Sequence, residues 1–303
     1  MALTHDRTFD PQHGKAVEIA PGVRRMTVNN PGPFTFHGTN TYLVGEAEIA
    51  VIDPGPDDDD HIDALVKAAG AERIKAILVS HTHRDHSPGA KRLQNLTGAP
   101  VYAEGPHRPA RPLNIGEINP LDASGDHDFE PDTVLRDGES VELAECILKA
   151  IETPGHTANH LSFEMLETGI VFSADHIMAW STSIVAPPDG AMVDYMASLD
   201  KMIARSDEVL FPGHGGPVRD PASYLVDLKA HRLAREKAVL DQIIAGVHTV
   251  PEMVKVIYRD VDPRLHPAAG LSVLAHLEDL VARDLVTCAG PVDLTQSFRL
   301  PGR

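Results

Sequence analysis

Cysteine is scarce in this chain. Only Cys146 and Cys288 occur, far apart and in no zinc-finger spacing. Their scarcity fits a reducing compartment, so a cytoplasmic location is the expectation. No run approaches the ~20 apolar residues that a bilayer-spanning helix needs, and no membrane partner is expected. The opening residues Met1-Ala2-Leu3-Thr4-His5-Asp6-Arg7 lack an apolar stretch, which predicts no secretory signal. Basic residues are also short: 27 Lys and Arg face 44 Asp and Glu, a formal net charge of −17. That balance opposes tight, non-specific binding to nucleic acid or an anionic membrane. The run Asp57-Asp58-Asp59-Asp60 lacks the spaced oxygen ligands of a calcium loop. It reads instead as the start of a helix over 62–69, where negative charge suits the helix N-terminus.

The chain does hold 17 histidines, and their placement is uneven. Three imidazoles and a carboxylate crowd into His81-Thr82-His83-Arg84-Asp85-His86-Ser87, directly after a strand-like run at 74–80. Such a segment is too polar for a core. Imidazole and carboxylate are what zinc and similar divalent ions take as ligands. His81 and His83 are two apart, so on an extended chain they leave the same face. Asp85 and His86 follow where the chain must turn. One extended pair and one turn pair point to two neighbouring ions.

More ligands must then come from other strand ends. The runs 147–153, 169–174 and 208–211 are short and apolar, and they lead into Pro154-Gly155-His156, Asp175-His176 and Pro212-Gly213-His214. This series, together with Val51-Ile52-Asp53-Pro54-Gly55, resembles the metallo-beta-lactamase-fold hydrolases. The resemblance implies a first metal on His81, His83 and His156, a second on Asp85, His86 and His214, and Asp175 bridging both. Asp53 matches the family's structural acid beneath the site, a group that orients ligands through hydrogen bonds. His160 and His176 lie beside ligands and are candidates for the same supporting role. Zinc is the expected metal, with iron or manganese also suited to a ligand set of nitrogen and oxygen alone.

The implied fold is α/β, an αββα sandwich with the metals at one edge, and the alternation of strands and helices agrees. At 303 residues, one large and one small domain are expected, divided as 1–224 and 225–303. Residues 104–137, rich in Pro, Gly and Asp, read as a long loop near the site. Trp180, the only tryptophan, follows Asp175 closely and reads either as core or as a pocket wall. After Pro221 come a helix at 225–245, a capping box at Thr249-Val250-Pro251-Glu252 opening a second helix, a third at 267–283, and a hairpin over 285–300. Three helices and a hairpin are the order of a winged helix. The resemblance extends here, to the beta-lactamase-like protein 2 branch. Glu278 and Asp279 on the third helix argue against DNA as a partner. Packing against the catalytic domain is expected instead, with Arg232, Arg235 and Lys237 at the rim as substrate contacts, alongside Trp180 and Ser183.

Two metals side by side hold a bridging water and lower its pKa. The expected activity is hydrolysis of an ester, thioester, lactone or phosphodiester by that hydroxide, with Asp85 and Asp175 as the catalytic carboxylates. True beta-lactamases lack the Asp175 bridge, so beta-lactam cleavage would be a side reaction. Gly215-Gly216-Pro217 departs from the glyoxalase pattern. The branch named is associated with single-stranded RNA cleavage, so the alternatives are a small-molecule substrate or a short RNA, with room for an oligomer. A different class is a non-catalytic winged-helix binding protein. The full ligand set argues against it, because a structural zinc site is closed and mononuclear.

Overall fold

The computed structural model describes residues 3–114 and 117–302. A first sheet runs in sequence order through β1 (Val17–Ala20), β2 (Val23–Thr27), β3 (Asn40–Val44), β4 (Ile49–Ile52), β5 (Ile74–Leu78), β6 (Val101–Ala103) and β7 (Thr133–Val134). It is antiparallel up to β4 and parallel from β4 to β7. The second sheet has the order β12-β11-β10-β9-β8, from β8 (Ser140–Glu142), β9 (Ile147–Glu152), β10 (Leu161–Met165), β11 (Ile170–Ala174) and β12 (Val209–Pro212).

Side-chain alternation explains why the sheets stack. Tyr42, Val44, Ala50, Ile52, Ala76 and Leu78 face inward and meet Leu148, Ala150, Leu161, Phe163, Phe172 and Phe211 of the other sheet. Leu43, Val51 and Ile77, one step out of phase, face α1 (Asp59–Ala69) and α2 (Gly89–Thr97). Val171 and Leu210 likewise face α3 (Met192–Ile203) and the start of α4 (Pro221–Ile244). A period of two that buries both faces of a strand requires cover on each side, and the result is the expected αββα sandwich. Asp58 caps α1 by accepting from the His61 amide at 3.0 Å, with Asp59 and Asp60 in the first turn, so the acidic run is a helix start.

The far end of α4, α5 (Val250–Ile257), α6 (His266–Ala282) and the hairpin β13 (Thr287–Cys288)–β14 (Phe298–Arg299) build a separate apolar cluster around Met253, Leu277, Leu280 and Phe298. The capping box works differently from the expectation. Thr249 Oγ1 donates to the Glu252 carboxylate at 2.6 Å and makes no side-chain bond to the helix backbone. The division expected at 224/225 falls inside α4, whose Leu225 and Leu228 belong to the sandwich and whose Val239 and Ile243 belong to the C-terminal cluster. Among the described residues, no helix is long and apolar enough to cross a membrane.

Of the expected loop 104–137, residues 115 and 116 lie outside the described residues. The rest is more structured than expected. It includes β7 and a short 3-10 turn at Asp122–Ser124, and it is bonded to the sandwich through Ala110 N to Pro188 O at 2.7 Å and Asn119 Nδ2 to Asp189 Oδ1 at 2.7 Å.

Candidate metal centre

Five segments leave the carboxyl ends of β4, β5, β9, β11 and β12 at one edge of the sandwich, bearing Asp53, the His81–Ser87 segment, His156, Asp175 and His214. Two strand exits are forced. Asp53 and Ala174 hold φ of +51° and +42°, a region that costs a non-glycine residue roughly 1–2 kcal/mol. Those turns direct the carboxylates of Asp53 and Asp175 towards the cluster.

The ligand-type atoms converge in three overlapping groups able to hold a metal: His81, His83 and His156; His81, His86 and Asp175; Asp85, His86 and His214. His83 Nδ1 lies 3.1 Å from His81 Nε2 and 3.0 Å from His156 Nε2. Asp85 Oδ2 lies 3.3 Å from both His86 Nε2 and His214 Nε2. Asp175 spans the two sets, with Oδ2 3.7 Å from His156 and 3.3 Å from His214, and Oδ1 3.6 Å from His86. His86 Nε2 and Asp175 Oδ1 are buried with no hydrogen-bond partner. Orphaned buried polar atoms are costly, and a cation between them removes the cost. The residues present therefore fit divalent metal ions.

The protonation states differ between the two sets. Burial, reinforced by neighbouring imidazoles, holds His81 well below its ordinary value and His83 down at about 3. Neutral imidazole is the ligand form. Burial would push Asp85 and Asp175 up, but His86 and His214 outweigh it and hold both carboxyls below the ordinary range. Burial would likewise push His86 and His214 down, yet Asp85 and Asp175 raise both, His214 to about 9. Each thus pairs as an imidazolium with these carboxylates and must release a proton to serve as a ligand.

A surrounding layer sets the orientation of these groups. Asp53 accepts from Ser80 N at 2.7 Å, from Ser80 Oγ at 2.7 Å and from His86 Nδ1 at 2.9 Å. Ser80 Oγ also lies 2.9 Å from His81 Nδ1. One carboxylate thus steadies a histidine of each set. His156 Nδ1 is bonded to the Ile184 carbonyl at 2.6 Å, and Thr39 Oγ1 donates to Asp85 Oδ2 at 3.1 Å. Asn40 Nδ2 donates to the Pro212 and Gly215 carbonyls, both at 3.0 Å, and so fixes the turn carrying His214. Thr39, Asn40 and Ile184 carry no motif. Ser80 is the exception, since it directly precedes His81 at the end of the metal strand.

Other expectations change. His160 bonds Thr153 Oγ1 at 2.9 Å and packs against the His81 ring at 5.1 Å, and the His176 ring sits against Tyr195 at 4.9 Å; neither bonds a ligand. Both are packing residues beneath the site. Ser183 and Arg232 are both buried, and neither lines the cavity over the cluster. Arg232 is 4% exposed, donates to the Ser183 carbonyl and covers the Tyr195 ring at 4.7 Å. Together they brace the segment that presents the Ile184 carbonyl to His156. Arg235 covers Tyr258, and Lys237 pairs with Asp241 on the surface.

A cavity of about 420 Å³ opens over the cluster, with His83, Asp85, His156, Asp175 and His214 as its floor. Its walls are mostly apolar: Phe34 and Pro33, Leu121, Met178, Trp180 and Ile184. Trp180 lies stacked on Phe36 at 4.8 Å, so the tryptophan is both packed and a wall. Among the described residues, Arg84, exposed at the mouth, is the one Lys or Arg in the lining.

Residues 34–214 match the metallo-beta-lactamase superfamily, and residues 249–290 match the beta-lactamase associated winged helix domain. A beta-lactamase-like protein 2 homolog of Caenorhabditis elegans is 34% identical over 241 residues, covering 75% of this chain and 73% of that one. An atrochrysone carboxyl ACP thioesterase of Aspergillus chevalieri is 28% identical over 300 residues, covering 94% and 85%. The crystal structure of a metallo-beta-lactamase family protein from Thermus thermophilus superposes with a TM-score of 0.76 at 25% identity, covering 93% of this chain and all of that one. With its ligand-type residues gathered at one sandwich edge and a winged helix behind them, the chain belongs to the metallo-beta-lactamase superfamily of hydrolases, alongside the beta-lactamase-like protein 2 homologs.

Proposed function

We propose that this protein is a dinuclear zinc hydrolase acting on a small ester or thioester with an apolar acyl group. The observation that carries the reading is the apolar cavity standing directly on the ligand cluster. His81, His83 and His156 would hold one ion, Asp85, His86 and His214 the other, and Asp175 both. Bound divalent ions supply Lewis acidity and a water acidic enough to attack a carbonyl at neutral pH. The chain's own residues do the rest. Asp53 and Ser80 hold His86 and His81 in register, and Thr39 fixes the Asp85 carboxylate that orients the attacking water. The apolar walls exclude bulk water and seat the acyl group, while Arg84 at the mouth faces the polar leaving group.

The thioesterase name of the Aspergillus relative supports acyl chemistry. A long RNA is disfavoured on two counts: the net charge is −17, and the described lining offers a single arginine to phosphates. A non-catalytic binding role is disfavoured because the ligand cluster opens onto the cavity, whereas a structural zinc site is closed. A cytoplasmic setting agrees with both cysteines being free thiols.

The test is elemental analysis of protein purified under zinc supplementation, followed by a screen of thioester, ester, lactone, beta-lactam, phosphodiester and single-stranded RNA substrates. Two ions per chain and fastest turnover on apolar acyl substrates are expected. A single ion per chain, or preference for RNA, overturns the reading.

A further inference from the structure

The cavity is not completed by the catalytic sandwich alone. Ala268 and Leu271 of α6, which lie in the C-terminal domain, form part of its wall. Four residues of this helix face the sandwich at helical spacing: Ala268, Leu271, Ala275 and Glu278. Ala275 is fully buried in the cluster that holds Tyr195 and Leu199 of α3. The Glu278 carboxylate accepts from Arg111 Nε at 2.9 Å and Nη2 at 2.6 Å. Arg111 also grips Glu117 through two bonds of 2.7 Å, in the segment that leads to the wall residue Leu121. One end of the stripe is thus anchored to the sandwich core and to this segment. The other end, where Leu271 is 5% exposed, presents aliphatic carbon to the cavity.

We propose that α6 supplies the wall that sets the size of the acyl group, with Leu271 and Ala268 as specificity-determining residues. The proposal deepens the acyl-hydrolase reading and rests on it for the substrate class. Physically, an apolar wall discriminates by fit. One methylene too many or too few in such a pocket is worth about 10–200-fold in kcat/KM. A wall built on a helix held by core packing and an ion pair is stiff enough to exert that discrimination. It also gives the winged-helix element a role that needs no nucleic acid: it completes the substrate site.

The test uses the full-length protein and a series of p-nitrophenyl esters from acetate to decanoate. Leu271→Ala should move the preferred chain length upward. Leu271→Phe and Ala268→Leu should move it downward, with the decanoate-to-butyrate ratio of kcat/KM falling at least about tenfold. A variant that had merely misfolded would lower all esters together rather than shift the profile in opposite directions. Trp180, the sole tryptophan and a wall residue, gives a second readout that needs no turnover. Decanoate should change its fluorescence in the wild type and in Leu271→Ala, and at least about tenfold more weakly in Leu271→Phe. If no ester is hydrolysed, but decanoate perturbs Trp180 and Leu271→Phe weakens it, the acyl-hydrolase reading fails and the assignment of the wall stands. An unchanged profile in both directions, or a Trp180 signal that none of the three substitutions alters, overturns the assignment.

Discussion

Asp175 lies between the two sets of ligand-type residues. Its oxygens lie within 3.3–3.7 Å of nitrogens on His86, His156 and His214. Replacing it with alanine should abolish turnover and lower metal affinity by at least about 10–100-fold, with circular dichroism unchanged because the site lies at an edge and not in the core. Gly213→Ala tests the same carboxylate without deleting it. A methyl at Gly213 would sit 2.3 Å from Asp175 Oδ1 and 2.8 Å from His86 Cε1, so one of them must move. Retention of metal against graded chelator should drop about tenfold. Wild-type retention in Gly213→Ala would show that the carboxylate has room the structure does not give it.

At the scale of elements, the contact between α6 and the segment around Arg111 is held by charge as well as by packing. Burial raises the Glu278 carboxyl above its ordinary value even with Arg111 beside it, so the pair is partly desolvated. Removing one partner leaves the other charge half-buried. Arg111→Gln should destabilise the protein by about 1–3 kcal/mol, read from urea midpoints. Adding Glu278→Gln should recover part of that loss, since the double variant no longer strands the Glu278 charge, although Glu117 still lacks its arginine. If the two effects are strictly additive, the pair is not coupled and the wall is held by Ala275 packing alone.

At the scale of the whole molecule, buried histidines outside the centre contribute to acid stability. Burial holds His61 down at about 4 and His276 at about 3, while both titrate near 6.5 in an unfolded chain. The unfolded chain therefore takes up protons first. The stabilising effect of keeping these rings neutral is complete above about pH 6.5 and is lost as pH falls towards about 4. Urea midpoints should decline through that window, and His61→Gln, which can still bond Thr41 Oγ1, should flatten the decline. An identical slope in the variant would remove His61 from the account. The charge of −17 makes a second demand. Binding to a long single-stranded RNA should be weak at low salt and fall further at moderate salt; tight, salt-insensitive binding would reveal a groove that neither the charge nor the cavity accounts for.

The sequence by itself determined the candidate ligand-type residues, the sandwich and the winged-helix order. The ligands are readable because metal binding demands particular side chains, and each sits within a few residues of a strand end, where local pattern is strong. The sandwich is readable because a period of two in apolar runs leaves little choice of what to bury. Apart from Asp53, the tertiary structure alone decided which groups support the site. The carbonyl of Ile184 orients His156 from 28 residues away, and a carbonyl is the same in every residue, so no pattern marks it. Thr39 meets Asp85 across 46 residues by strand placement. Arg232 reads as a surface cation in sequence but is buried by the docking of α4, and Leu271 reads as one helix leucine among several. Whether a helix leucine fills a core or walls a cavity depends on what its helix is packed against, and that is set by contacts far apart in the chain.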